Sequence, residues 1–177
     1  NRHLRVLHNA LATVRQVHIP ALVGQIRQIL EITLACICAE LGRSFQVVGS
    51  DIDQRIVARA KRGWFSDSDM RNVPPKVKAR FFREANGGWE ATADLGRHVS
   101  FRIDDLLRMR YEPGWDLVLC RNVVIYFNDA ARDHVHRGIA GALKPGGYLM
   151  VGSTERVSDA AALGLATAHP FIYRKAL

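Results

Sequence analysis

Residues 116–128, DLVLCRNVVIYFN, decide how the rest of the chain is read. Leu117, Val118, Leu119 and Cys120 form an unbroken apolar run. Successive residues of a strand point to opposite faces, so such a run is covered on both faces, as a central parallel strand is. Arg121 and Asn122 arrive where that strand should end, and a second apolar run stops at Tyr126-Phe127-Asn128. Open α/β sheets bind ligands outside the carboxyl ends of their strands. The polar pair is therefore a candidate site; the alternative is a strand that closes in a solvated turn.

Around this strand, helical and strand patterns alternate. Leu4, Leu7, Leu11 and Val14 predict a short amphipathic helix over 1–14. A first strand is expected at 16–19, weakened by Pro20. Ile26, Ile29, Leu30, Thr33, Ile37 and Leu41 form one stripe of a helix over 25–41, stopped by Gly42. FQVVG at 45–49 reads as a strand ending in Ser50-Asp51-Ile52-Asp53, with a basic helix following to Gly63. Strand, acidic end and helix make half of a nucleotide-binding unit, in which a carboxylate accepts from a ribose diol. Asp51 or Asp53 could equally cap the helix, and one can cap while the other binds.

Residues 63–75 read as irregular. Asn86-Gly87-Gly88, in a loop flanked by Arg80-Phe81-Phe82-Arg83 and Trp89-Glu90-Ala91-Thr92, signals a hairpin, and a small antiparallel β-subdomain inserted over about 77–98 is expected. A strand at 99–103 ends in Asp104-Asp105-Leu106-Leu107. A helix over 129–143 is capped by Asn128 or Asp129, and Lys144-Pro145-Gly146-Gly147 reads as a tight turn. A strand at 148–152, a helix near 158–168 and a last strand at 171–174 complete the pattern. The expected fold is α/β, with a mostly parallel sheet, helices on both faces and the inserted β-subdomain.

The chain has 177 residues, 48% hydrophobic and 24% charged, with a formal charge of +8. It opens on Asn1-Arg2-His3 without a methionine, as a piece of a longer protein would. No run reaches the roughly 18 to 20 apolar residues of a membrane span, and no segment reads as a signal peptide. Cys36 and Cys38 are two apart on a helix and diverge, which fits a reducing cytoplasm better than a disulfide or metal pair. His134 and His136 diverge in the same way. HExxH, paired CxxC, phosphate-loop and GxSxG signatures are lacking. From Arg55 to Arg83 there are nine basic residues against Asp67 and Asp69, a local patch suited to an acidic partner. What remains as candidate chemistry is three polar strand ends, at Ser50-Asp51, Asp105-Leu106 and Arg121-Asn122, which converge on a nucleoside-shaped task if the strands are adjacent.

These segments, together with Lys144-Pro145-Gly146-Gly147-Tyr148-Leu149 and Gly152-Ser153-Thr154-Glu155, resemble the CheR family from about residue 45 to 175. Its members are S-adenosylmethionine-dependent methyltransferases acting on glutamates of bacterial chemoreceptors. The resemblance implies a Rossmann-like class I methyltransferase fold and S-adenosylmethionine as cofactor. It implies Asp51 as the ribose acid, Asp105 and Leu106 at the adenine, Arg121 and Asn122 bordering the cofactor, and Tyr126 near the transferred methyl group. The hairpin falls where the family carries a β-subdomain that in some members docks receptor tails. The family's first motif is a glycine-rich loop with an acidic pair; in the aligned residues 23–33 only Gly24 stands for the glycines and Glu31 for the acids. The family's N-terminal helical domain is absent from the sequence.

The leading reading is thus a cytoplasmic protein-glutamate O-methyltransferase whose partners are chemoreceptor helices or tails, with neither nucleic acid nor membrane insertion. A glutamate is already ionised near neutral pH, so positioning rather than a strong base would carry the chemistry. The altered first motif motivates an alternative, a non-catalytic interaction domain. The +8 charge motivates a nucleic-acid enzyme, which lacks the Asn/Asp-Pro-Pro-Tyr type of signature.

Overall fold

The computed structural model describes residues 16–20, 28–40, 42 and 44–177, with 28–33 in backbone only. The helix expected over 1–14 lies outside the described residues. In order the elements are β1 (Gln16–Pro20), α1 (Gln28–Glu40), β2 (Gln46–Asp51), α2 (Gln54–Lys61), β3 (Trp64–Phe65), α3 (Pro75–Phe81), β4 (Phe82–Ala85), β5 (Gly88–Ala91), α4 (Ala93–Gly96), β6 (Val99–Ile103), β7 (Trp115–Cys120), α5 (Asp129–Ala142), β8 (Leu143–Val151), β9 (Leu165–His169) and β10 (Ile172–Lys175). Single 3-10 turns cover Val124–Tyr126 and Ala160–Leu163.

The main sheet runs β6-β2-β1-β7-β8-β10-β9, and β4, β5 and β3 form a second, antiparallel sheet. From β6 to β8 all pairs are parallel, while β10 is antiparallel to both β8 and β9. From β1 the chain builds outward through β2 to β6, then returns to the other side of β1 with β7. That reversal of strand order is where open α/β sheets bind ligands. Register brings the strand ends level: Pro20 faces Ser50, Asp51 faces Ile103, and Cys120 faces Val151.

The apolar run of β7 behaves as its pattern predicts. Leu117 and Leu119 join a core with Val17, Ile19 and Val47 under α1, while Val118 and Cys120 join a core with Val135 and Ile139 of α5. Burial of Cys36 and Cys38 pushes their thiols up, to about 12 and about 11. With Cys120, buried too and shifted the same way, they are free thiols without thiolate reactivity.

Four expectations are corrected. Lys144-Pro145-Gly146-Gly147 is not a turn between elements but lies inside β8, as a bulge. Trp115 pairs with Leu143 and Leu117 with Tyr148, so four residues loop out opposite Asp116. Asp116 holds that bulge by accepting from Lys144 Nζ at 2.9 Å and from the Gln16 amide at 2.9 Å. The helix expected near 158–168 is a 3-10 turn followed by β9, because β10 offers a strand edge to pair with. Trp64 and Phe65 form β3 against β5, where sequence alone gave only irregular chain, so the second sheet starts upstream of residue 77. Helix α3 was missed; Pro75 begins it, where proline's absent N–H costs nothing. The hairpin itself stands, with Asn86 and Gly87 both at positive φ as a tight two-residue turn requires.

The segment after β7 is tied to the end of β8 by one side chain. Glu155, 3% exposed, accepts from four backbone amides. Oε2 takes Asn122 at 2.7 Å and Gly152 at 2.6 Å, and Oε1 takes Val123 at 3.0 Å and Val124 at 3.2 Å. Gly152 must lack a side chain, since a Cβ there would sit 2.5 Å from Glu155 Oε2 and against Asn122 Oδ1. In Glu155→Gln an amide nitrogen faces donors it cannot pair with. Stranding two buried N–H groups is expected to cost about 2–4 kcal/mol, read as a lower urea midpoint at unchanged slope.

His18 is buried in β1, hydrogen-bonded through Nε2 to Ser50 Oγ at 3.0 Å and stacked on Trp115 at 4.9 Å. Burial first, and Arg102 second, lowers its pKa from 6.5 to about 3. The folded state therefore resists a proton that the unfolded state accepts. Its contribution is intact above the unfolded pKa and is lost as pH falls from there toward 3, by about 2 kcal/mol near pH 5. His18→Gln, which can still bond Ser50, is expected to flatten the fall of the urea midpoint between about pH 7 and pH 5. An equally steep fall in the variant would assign it elsewhere, for instance to buried His136, shifted in the same direction.

Candidate functional site at the carboxyl edge of the sheet

Asp51 closes β2 and is fully buried. Its Oδ1 accepts the Asp53 amide at 2.8 Å, while Oδ2 is buried with no partner among the described residues. Asp53 is the cap of α2, accepting the Arg55 amide at 2.8 Å and pairing with the Arg55 guanidinium at 3.1 Å. The Arg55 side-chain bond holds the Asp53 carboxyl below its usual range. The two acids thus divide the tasks left open in the sequence. Asp53 caps, and Asp51 keeps a buried acceptor that only a further donor would satisfy.

The end of β6 is joined to that of β2 by the Asp104 amide, which donates to the Asp51 carbonyl at 3.1 Å. Asp105 follows and turns the chain. Its Oδ1 accepts the Leu107 amide at 2.9 Å, and Oδ2 stands 3.6 Å from Arg108 Nε. Leu106 is buried in the core of Val118 and Cys120, and its carbonyl accepts the Tyr111 hydroxyl at 2.7 Å. Tyr111 in turn packs so closely on Gly138 of α5 that a Cβ there would strike its ring. Asp105 and Leu106 thus stand beside Asp51 on a turn anchored from below.

At β7, Arg121 and Asn122 are both exposed, and Asn122 takes a left-handed backbone, φ 57. That conformation turns the chain sharply from the strand into the Val124–Tyr126 turn, with the Glu155 carboxylate receiving the amides that the turn exposes. Tyr126 is 62% exposed, and Asn128 then caps α5 by accepting the Ala131 amide at 2.9 Å. Exposed Ile52, Ile103, Leu107 and Ile125 follow the same strand ends. The edge therefore offers a carboxylate oxygen unmatched among the described residues, a polar pair and apolar side chains, an arrangement that fits an adenosine. Gly24 lies outside the described residues, and Glu31 is placed by backbone alone in the first turn of α1.

Glu155 was quoted in the sequence as part of a motif but given no role. Its signal was an acid three residues after a glycine at a strand end. Among the described residues no cluster of His, Cys, Asp and Glu is fit to hold a metal, and no helix is long and apolar enough to cross a membrane.

Similarity to known proteins follows the same segments. The chain is 31% identical over 133 residues to a chemotaxis protein methyltransferase of Listeria innocua, covering 75% of this chain and 51% of that protein. It is 30% identical over 135 residues to the chemotaxis protein methyltransferase of Escherichia coli, covering 73% and 47%. The chain thus spans about half the length of the curated relatives it matches. Among solved structures it resembles an O-methyltransferase family protein from Burkholderia thailandensis, with TM-score 0.55 and 17% identity over 99% of this chain and 55% of that one. It also resembles magnesium protoporphyrin IX methyltransferase from Synechocystis, with TM-score 0.54 and 14% identity over 98% and 80%. At such identities the likeness concerns the fold, that of class I methyltransferases. Residues 19–168 match the family model described as CheR methyltransferase, SAM binding domain, which takes in the strand ends at Asp51, Asp105 and Arg121, and the chain belongs to that family.

Proposed function

We propose that this chain is the cofactor-binding and methyl-transferring part of a cytoplasmic protein-glutamate O-methyltransferase acting on chemoreceptors. The observation that carries the reading is the buried Oδ2 of Asp51, without a partner among the described residues, beside the strand-order reversal. S-adenosylmethionine, when bound, would supply an electrophilic methyl group on its sulfonium; transfer to a glutamate carboxylate oxygen would form the methyl ester and release the neutral thioether S-adenosylhomocysteine, with no strong base needed. Asp51 accepts from the ribose diol. Asp105 and Leu106 line the adenine, with Ile52 and Ile103 nearby to exclude water. Arg121 and Asn122 border the cofactor, and the Tyr126 hydroxyl orients the acceptor carboxylate. Gly24 and Glu31 are assigned to the methionine end.

The second sheet, with Arg83 paired to Glu90 and Lys78 over the Trp89 ring, is assigned to receptor docking within a single domain. Its basic surroundings suit an acidic receptor helix or tail. Isothermal titration with S-adenosylhomocysteine tests the core of the reading. Saturable binding well below about 1 mM is expected, weakened at least about tenfold in Asp51→Ala at unchanged circular dichroism. A folded chain that binds none would speak instead for a docking domain without cofactor.

A further inference from the structure

Strand β6 forms one edge of the main sheet. The Val47 amide donates to the His98 carbonyl at 2.8 Å, and the Asp104 amide donates to the Asp51 carbonyl at 3.1 Å. Backbone groups alternate in direction along a strand, so His98, Ser100, Arg102 and Asp104 turn theirs toward β2. Val99, Phe101 and Ile103 turn theirs outward, where no strand pairs with them among the described residues. Edges that must stay single carry a proline, a lysine or a bulge. β6 has neither proline nor lysine, and its pairing with β2 runs without a register shift. Its one charged residue, Arg102, is occupied by Asp104 and Glu112.

The residues around this edge are complementary to themselves. Arg97-His98 precedes the strand, Asp104-Asp105 follows it, and Phe101 is the midpoint. A second β6 laid antiparallel, Phe101 on Phe101, sets Arg97 opposite Asp105, His98 opposite Asp104 and Val99 opposite Ile103. Opposite charges facing each other across a strand pair are stabilising, and like charges are not. In this register the outward residues meet as hydrogen-bonded pairs, which gives about six main-chain bonds. Centring on Arg102 instead puts that cation against itself. Centring on Ser100 puts Arg102 against His98 and leaves both acids beyond the strand. Arg97 is available, since its pair with Asp94 at 2.9 Å is exposed on both sides and contributes little. A cavity of about 380 Å³ adjoins the same strand, lined by Ala60, Gly63, Phe65, Gly96, Val99 and Phe101. Residues opposite each other in an antiparallel pair project to the same face. The partner's Ile103 then arrives beside Val99, at this cavity. Ile103 is 52% exposed in the single chain, and the small residues at 60, 63 and 96 leave room for it.

We infer that this edge is the seam of a homodimer, in which β6 pairs antiparallel with the β6 of a second copy of this chain, centred on Phe101, and each Ile103 seats at the other copy's cavity. The main-chain bonds hold the two sheets together, the charged ends fix the register, and the cavity takes the exposed apolar side chain. The inference is independent of the methyl-transfer reading, because it requires neither cofactor nor activity.

Sedimentation velocity of the full chain over a concentration series, without cofactor, tests it. A reversible dimer with a dissociation constant on the order of 10 µM is expected, as suits a short seam. Arg97→Glu sets a second acid against Asp105, and Ile103→Lys puts a charge at the apolar cavity. Both side chains are exposed, so the fold is not at stake. Each substitution should weaken the dimer at least about tenfold at unchanged circular dichroism. The register is read by oxidation. In Phe101→Cys the two new thiols face each other with Cα atoms about 5.5 Å apart, within disulfide reach, and a covalent dimer should form. In Ser100→Cys they lie diagonally, about 7–8 Å apart, and it should not. Cys36, Cys38 and Cys120 are buried and do not compete. A chain that stays monomeric up to about 0.5 mM would overturn the inference. So would a dimer that either substitution leaves unchanged, or one that cross-links at 100 as readily as at 101, since another surface or register would then join the copies.

Discussion

The carboxylate of Glu155 is the constraint on which the working edge depends. After β7 the chain leaves the sheet by way of a left-handed asparagine and a single 3-10 turn. Such a turn begins with backbone amides that no intrahelical carbonyl can satisfy. They are buried, so they need an acceptor from elsewhere, and Glu155 supplies it from the end of the neighbouring strand. The same carboxylate takes the Gly152 amide, so one side chain pins β7 to β8 where register has already aligned Cys120 with Val151. A glycine is demanded at 152 because the acid occupies the space of any side chain.

With that edge fixed, the positions of the other groups follow from strand pairing. Asp51 is carried by β2, whose last residue pairs with Ile103, and the Asp104 amide closes the joint. Arg121 and Asn122 sit across β1 on the far side of the order reversal. The division between Asp51 and Asp53 has an electrostatic logic. Asp53 pairs with an Arg55 that lies almost wholly in water, while it caps α2. Asp51 is buried and half satisfied, an arrangement that loses free energy unless a donor arrives. A fold that keeps such a group is organised for a ligand more than for its own stability.

The parts legible in the sequence are those fixed by local rules. The unbroken apolar run of β7 reads as central because both faces are covered, and Asn86-Gly87 reads as a hairpin because two successive positive φ values suit little else. A cap at Asn128 or Asp129 reads from its place before an amphipathic run, and the bond to the Ala131 amide gives it to Asn128. What escaped is decided by partners distant in sequence. Pro145-Gly146-Gly147 has turn chemistry, yet it bulges within a strand because β7 continues alongside and Asp116 holds Lys144. Residues 165–169 have no strand signature of their own and pair because β10 is there. Trp64 and Phe65 become a strand only because β5 is beside them, and Gly88 lets Trp64 approach. Among site residues, the choice between two acids needed the hydrogen bonds themselves, and Glu155 needed the fold.

Amide hydrogen exchange on the cofactor-free chain tests most directly whether the Glu155 carboxylate organises this edge. The account predicts that the amides of Asn122, Val123, Val124 and Gly152 exchange as slowly as those of β7 and β8, although all four lie outside any strand or α-helix. It also predicts that at least one of the two pairs, Asn122 with Gly152 or Val123 with Val124, loses protection when Glu155 is replaced by Gln, while β1 and β2 keep theirs. Rapid exchange of the four in the wild type, at the rate of the exposed loop residues around them, would contradict it.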